Sequence, residues 1–154
     1  MVRLSDMPAV DAQHLREKVC PRLPQDAWVK PAPAKKRRVA LITTAGIGKR
    51  EDTGFGFNTI DYRVIPDSVD AADLVMTHNS VNFDRSAFQQ DINITFPIER
   101  FHELANDGVI DSVATYHYSF MGALTEPFAY EPTARQVASH LHADGVNCVF
   151  LTPI

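Results

Sequence analysis

Cysteine is scarce in this chain: Cys20 and Cys148 are the two thiols in 154 residues. Two cysteines cannot build a disulfide framework, which excludes a small stapled secreted scaffold and fits a cytoplasmic compartment. Neither has the surroundings of a nucleophile. Cys20 precedes Pro21 with no histidine close in sequence, and Cys148 stands inside the apolar stretch 146–151, where burial raises a thiol pKa. Long hydrophobic runs are also missing, and none approaches the roughly 18 residues of a membrane span. Residues 1–10 carry Asp6 and Pro8 and lack the apolar core of a signal peptide. Positive charge is not in excess: 15 Lys and Arg against 19 Asp and Glu leave a formal net charge of -4. Nucleic acid and anionic membranes therefore have no electrostatic claim on the chain. No internal repeat is visible. What remains, 45% hydrophobic and 22% charged residues, suits one globular domain with a serviceable core.

Two regions differ in texture. Residues 1–37 hold an amphipathic stretch over 5–19 (Val10, Leu15 and Val19, with Arg16 and Lys18 between), which predicts a short helix. Pro21, Pro24, Pro31 and Pro33 follow, so residues 20–34 are expected to form an extended arm, ending in the basic run Lys35-Lys36-Arg37-Arg38. That run reads as a solvated lead-in to a strand. The body, 38–154, alternates apolar runs with helical patterns. Strands are expected over 39–43, 62–65, 74–77, 109–113 and 146–151. One helix should open at Pro97 with Ile98, Phe101, Leu104 and Ala105 on one face and stop at Gly108. Another should open at Pro132 with Ala134, Val137, Ala138 and Leu141 inward and stop at Gly145. This order predicts an α/β fold with a mostly parallel sheet and helices on both faces, a Rossmann-like three-layer arrangement preceded by an extended N-terminal arm.

The glycines of Thr43-Thr44-Ala45-Gly46-Ile47-Gly48-Lys49-Arg50 invite a phosphate-binding reading, but the string fits neither template. Thr43 and Arg50 stand where a P-loop needs glycine and Ser or Thr, and Glu51 stands where the dinucleotide fingerprint needs glycine. Thr43 and Thr44 nonetheless end a strand, at the edge where open α/β sheets bind ligands. Among the histidines, His140 and His142 are two apart on a helix and point to different faces, while His14 and His102 look like surface residues. His78 and His117 each follow a predicted strand; a lone histidine beside aromatics reads first as a hydrogen-bonded packing residue, and two so placed favour the further reading that they face one cleft. No zinc site is expected, for want of a third ligand or a cysteine pair.

Taken in order, the residues of the body resemble the selenoprotein B family of glycine, sarcosine, betaine and D-proline reductases. The resemblance runs through Thr43-Thr44-Ala45-Gly46-Ile47, Arg63-Val64-Ile65-Pro66, Asp73-Leu74 leading to His78, Asp84, Asp91-Ile92-Asn93 and Phe96-Pro97-Ile98-Glu99-Arg100. It continues through Gly108-Val109-Ile110, His117-Tyr118-Ser119-Phe120-Met121-Gly122, Asp144-Gly145-Val146-Asn147 and Leu151-Thr152-Pro153. It spans about residues 38–154, and the histidine-to-glycine string is its most specific piece. It implies reductive cleavage of a carbon–nitrogen bond in a small amino acid or its N-methylated relative. A selenocysteine, or a cysteine in its place, attacks the substrate carbon, and the amine is held and activated on a pyruvoyl group of a partner subunit. A selenolate is ionised at neutral pH and strongly nucleophilic.

In that family the nucleophile follows the last strand, just beyond the Thr152-Pro153 step, whereas the sequence stops at Ile154. The expectation is a product cut at a selenocysteine codon, with no cofactor of its own and no turnover alone. The supporting groups expected at the site are His78 and His117 as proton donors or carboxylate holders and Asp84 to orient a histidine. Thr43, Thr44, Ser119 and Tyr118 are expected to contact substrate. Partners are expected to be the small amine or amino acid and, in a homo- or hetero-oligomer, other reductase subunits. The competing readings are a binding or assembly subunit of the same fold without redox chemistry, and an unrelated small-molecule-binding sheet protein.

Overall fold

The computed structural model describes residues 3–17, 19, 29–80, 85–122 and 126–154. Strand β1 (Arg38–Thr43) is the spine. Its run Val39, Ala40 and Leu41 is fully enclosed. Successive side chains leave a strand on opposite faces, and here Leu41 enters one apolar cluster while Ala40 enters another. Both faces of the sheet are thus covered, which a parallel sheet requires.

On one side β1 pairs in parallel with two short strands in succession. β5 (Ser112–Val113) lies beside Arg38 and Val39, and β6 (Tyr116–Phe120) lies beside Ile42 and Thr43. On its other side β1 pairs in parallel with β7 (Cys148–Thr152) along its length. β3 (Tyr62–Pro66) closes the far border antiparallel to β6. A separate two-stranded ribbon joins β2 (Ile47–Lys49) and β4 (Leu74–Met76), also antiparallel. The expected α/β class and mostly parallel sheet are present, with an antiparallel border that the sequence patterns did not announce.

Helix α1 (Ala9–Glu17) is shorter than the stretch 5–19, and Ala12 is its one buried residue. Of the arm over 20–34, residues 20–28, and with them Cys20, lie outside the described residues; 29–33 carry no helix or strand. A short helix, α2 (Ser86–Gln90), precedes α3 (Ile98–Asn106), which begins after Pro97. Ile98 and Phe101 of α3 pack into the Leu41 cluster. It ends at Gly108, whose φ of 67° suits a residue without a Cβ. The expected strand over 109–113 shrinks to β5 for a local reason: the Val109 and Ile110 amides both donate to the Leu104 carbonyl, closing the helix. Helix α4 (Glu131–Ala143) covers the opposite face with Thr133, Val137 and Leu141 buried. Ala134 and Ala138 are exposed rather than inward, because the buried stripe follows i, i+4, i+8 from Thr133. No helix among the described residues is long and apolar enough to cross a membrane.

Candidate functional site

The carboxyl ends of β1, β6 and β7 meet at Thr44, Gly122 and Ile154. Thr44 continues the pairing by donating its amide to the Thr152 carbonyl at 3.1 Å, and its own carbonyl accepts from Gly122 at 2.9 Å. Its Oγ1 accepts the Ile154 amide at 2.8 Å and donates to the Ile154 carbonyl at 3.4 Å. Both backbone groups of Ile154 are therefore gripped by one hydroxyl. At Gly122 a Cβ would lie 2.8 Å from the Ile154 oxygen and 2.9 Å from the Thr44 oxygen, so only glycine lets the three strand ends close up. Thr43 is fully buried one step below, its Oγ1 accepting the Ala45 amide at 3.2 Å and donating to the Thr152 carbonyl at 3.4 Å.

His78 stands beside this lip. It follows β4, and its backbone approaches the space above Gly46, a glycine held at φ 64° whose amide donates to the Phe120 carbonyl at 2.9 Å. The ring is buried, and Nδ1 accepts the Ser80 amide at 3.1 Å. Its carbonyl accepts from the Arg85 guanidinium. Burial, and then the Arg85 charge, hold the imidazole below its usual pKa and favour its neutral form. Asp84, expected to orient a histidine, lies outside the described residues.

His117 sits differently. It was expected just past a strand and is instead inside β6, where the alternation Tyr-His-Tyr-Ser-Phe sends His117 and Ser119 to one face and Tyr118 and Phe120 to the other. The imidazole is fully enclosed and fills the gap between β5 and β6. Nδ1 accepts the Leu41 amide at 3.0 Å, and Nε2 lies 3.2 Å from Asp67 Oδ1, which fixes the Nε2–H tautomer. Asp67 Oδ1 also lies 3.0 Å from His102 Nε2, on α3. Burial lowers the His117 pKa against the opposing pull of Asp67. Ser119, also enclosed, accepts the Ile47 amide on Oγ at 2.8 Å and so ties β2 to β6.

Of the expected set, the structure brings Thr43 and Thr44 to the lip, with His78 next to them through Gly46. Ser119 and His117 lie deeper as internal braces. Tyr118 lies on the α4 face, its ring edge-on to Tyr62 at 5.8 Å and parallel to His140 at 6.4 Å. The two histidines do not share either the cavity of about 420 Å³ at Val64, Tyr116 and His140 or that of about 310 Å³ at Lys49 and Asp73. Residues for which the sequence suggested no role are Gly122 and Asp67. The histidine-to-glycine string that ends at Gly122 was the available signal for the first. Nothing local marks the second, which matters through partners 35 and 50 positions away. Among the described residues no three metal-ligating side chains converge.

Comparison with known proteins agrees with the resemblance. D-proline reductase subunit gamma of Acetoanaerobium sticklandii is 32% identical over 120 residues, covering 77% of this chain and 49% of that protein. Sarcosine reductase complex component B subunit beta of Peptoclostridium acidaminophilum is 28% identical over 140 residues, covering 85% of this chain and 30% of that protein. The chain thus spans about half of one relative and under a third of the other. No solved structure matches it. Residues 21–154 match the glycine/sarcosine/betaine reductase selenoprotein B family, and the chain belongs to that family.

Proposed function

We propose that this chain is the part of a hetero-oligomeric reductase that presents the substrate-facing lip for cleavage of the carbon–nitrogen bond of a small amino acid or N-methylated amino acid. The substrate is of the glycine, sarcosine, betaine or D-proline type. The observation that carries the reading is the double grip of Thr44 Oγ1 on Ile154, which pins the backbone following the Thr152-Pro153 step against Gly122. That lip fits a reactive side chain carried just past this step, because the strand ends hold its backbone at a fixed place.

A selenolate or thiolate there would supply the nucleophile; for substrates that carry an N–H a pyruvoyl group of a partner subunit would activate the amine, whereas betaine, already quaternary, needs no such activation. The chain's own residues do the rest. Thr44 and Gly122 fix the position of the emerging backbone. His78, neutral and next to Gly46, offers a hydrogen-bonding imidazole at the lip that can take up a proton there. Thr43, Ser119 and His117 brace β1, β2 and β6 beneath it. The bond cleavage takes up two electrons and two protons, here drawn from a dithiol.

The test is co-expression with the partner reductase subunits, purification of the complex, and incubation with dithiothreitol and each of the four substrates. Consumption of one of them with stoichiometric release of its amine, or ring opening for D-proline, is the expected result. An intact complex, verified by mass spectrometry, that consumes none of the four would overturn the reading.

A further inference from the structure

Just past β1 and β6, Ala45 and Met121 face each other in an antiparallel bridge. In this kind of pair the bonds come from the residues on either side, and the facing residues turn their own amides and carbonyls away. Here the Gly46 amide donates to the Phe120 carbonyl and the Gly122 amide to the Thr44 carbonyl, both at 2.9 Å. The Met121 carbonyl is left to another donor. Met121 is 2% exposed, and β3 does not reach it, since the pairing of β3 with β6 stops at Phe120. A buried carbonyl needs a partner.

Tyr130 supplies it. This residue directly precedes α4, and its hydroxyl donates to the Met121 carbonyl. Its ring meets Phe120 edge-on at 5.5 Å, within the apolar cluster that α4 covers. Burial pushes the phenol pKa up, so the hydroxyl keeps its proton and its capacity to donate. A phenylalanine would fill the same space and leave the carbonyl without a donor. The residues flanking Met121 serve two parts of the lip. Phe120 holds Gly46, whose own carbonyl accepts the Thr77 amide at 2.9 Å, next to His78. Gly122 packs against the Thr44 and Ile154 carbonyls. Fixing the Met121 peptide therefore steadies both.

We propose that Tyr130 is a positioning residue of the lip, whose hydroxyl sets the place of Met121 and, through Gly122, of the backbone at Ile154. Its bearing on turnover rests on the reductase reading. The experiment compares the parent chain with Tyr130→Phe by amide hydrogen exchange. Exchange at Gly122 and Ile154 should accelerate by about tenfold in the variant, while Ala40 and Leu41 keep the protection they have in the parent. A second measurement needs no variant. In mixed ordinary and heavy water the ζ-carbon of Tyr130 should give two lines, because a hydroxyl held on a buried carbonyl exchanges slowly. In the proposed reductase complex Tyr130→Phe should lower kcat by roughly tenfold with KM unchanged. Unchanged exchange at Gly122 and Ile154, equal acceleration at Ala40 and Leu41, a single averaged ζ-carbon line, or an unchanged kcat would each overturn the proposal. The exchange and carbon measurements involve no turnover, so they decide the role of Tyr130 even where a complex inert toward all four substrates defeats the reductase reading.

Discussion

The imidazole of His117 takes the place of a backbone carbonyl in the sheet: its Nδ1 accepts the Leu41 amide at 3.0 Å where β5 has ended and β6 has yet to pair. The parallel ladder would otherwise leave a buried donor unmatched at its centre, which is costly. The other ring nitrogen passes the connection to Asp67 and, through the same oxygen, to His102 on α3. One side chain thereby links the central strand, the border turn and a helix.

This makes stability depend on pH in a stated direction. Burial holds His117 below its ordinary value of 6.5, and burial with the Arg85 charge does the same for His78. The neutral rings contribute fully above that ordinary value, and their contribution is lost as pH falls toward the depressed values. Thermal melts between pH 8 and 5 should show the midpoint falling below about pH 6.5, with a limiting slope of about 1.4 kcal/mol per pH unit for each histidine. His117→Gln keeps an acceptor and a donor and should flatten the slope. His117→Ala strands the Leu41 amide and should cost roughly 2–3 kcal/mol at pH 8. An unchanged pH slope in His117→Gln would contradict this account.

At the lip, Thr44→Val removes the acceptor of the Ile154 amide. Its expected cost is modest, about 1 kcal/mol, but hydrogen exchange at Ile154 should accelerate sharply, and Thr44→Ser should restore protection. Gly122→Ala must push the Ile154 and Thr44 carbonyls apart and should cost about 1–3 kcal/mol. In the proposed reductase complex both Thr44→Val and Gly122→Ala should reduce turnover more than they reduce melting temperature.

Arg38 donates from Nε to the Asp144 carbonyl, from Nη1 to Val113 and Ser112, and from Nη2 to Thr115 and the Asp144 carboxylate. A lysine cannot reproduce that planar fork, so Arg38→Lys should lose roughly 2 kcal/mol in denaturant unfolding at pH 7. Asp144 keeps a lowered pKa although its partial burial acts the other way, because Arg38 and Thr115 bond its charged form. The stabilisation it brings is present above the ordinary carboxylate value of 3.8 and lost as pH falls below it. The gap between parent and variant should therefore narrow in acid.

Among the described residues strand β7 is an edge, with Val149, Phe150 and Leu151 exposed at 39%, 43% and 64%. It bears no charge or proline to discourage pairing. The isolated chain should self-associate in light scattering, and Leu151→Lys should shift it toward monomer. A parent protein that runs as a monomer across a wide concentration range would refute this.

The sequence announced elements whose signals are local. The apolar run of β1, the Pro97 start and Gly108 stop of α3, and the Pro132 start and Gly145 stop of α4 all fall within a few residues of the observed bounds. β6 was not among the expected strands, and His117 was placed just past one rather than inside it. In the fold His117 and Ser119 satisfy buried amides of Leu41 and Ile47, a role set by strands more than 70 residues away. Thr43 and Thr44 stand at the end of β1 as their place in the sequence suggested, whereas His117 lies inside a strand instead of past one. Which face a histidine joins depends on its register, and register is a tertiary property.

The pairing of β1 also sets the order in which the protein can fold. Its bonded neighbours lie 74 and 109 residues further along the chain, at Ser112 and Asn147. During synthesis at about 5–20 residues per second, the greasy central segment waits several seconds for the last strand to emerge. Such non-local closure slows folding and leaves that apolar surface uncovered over the interval.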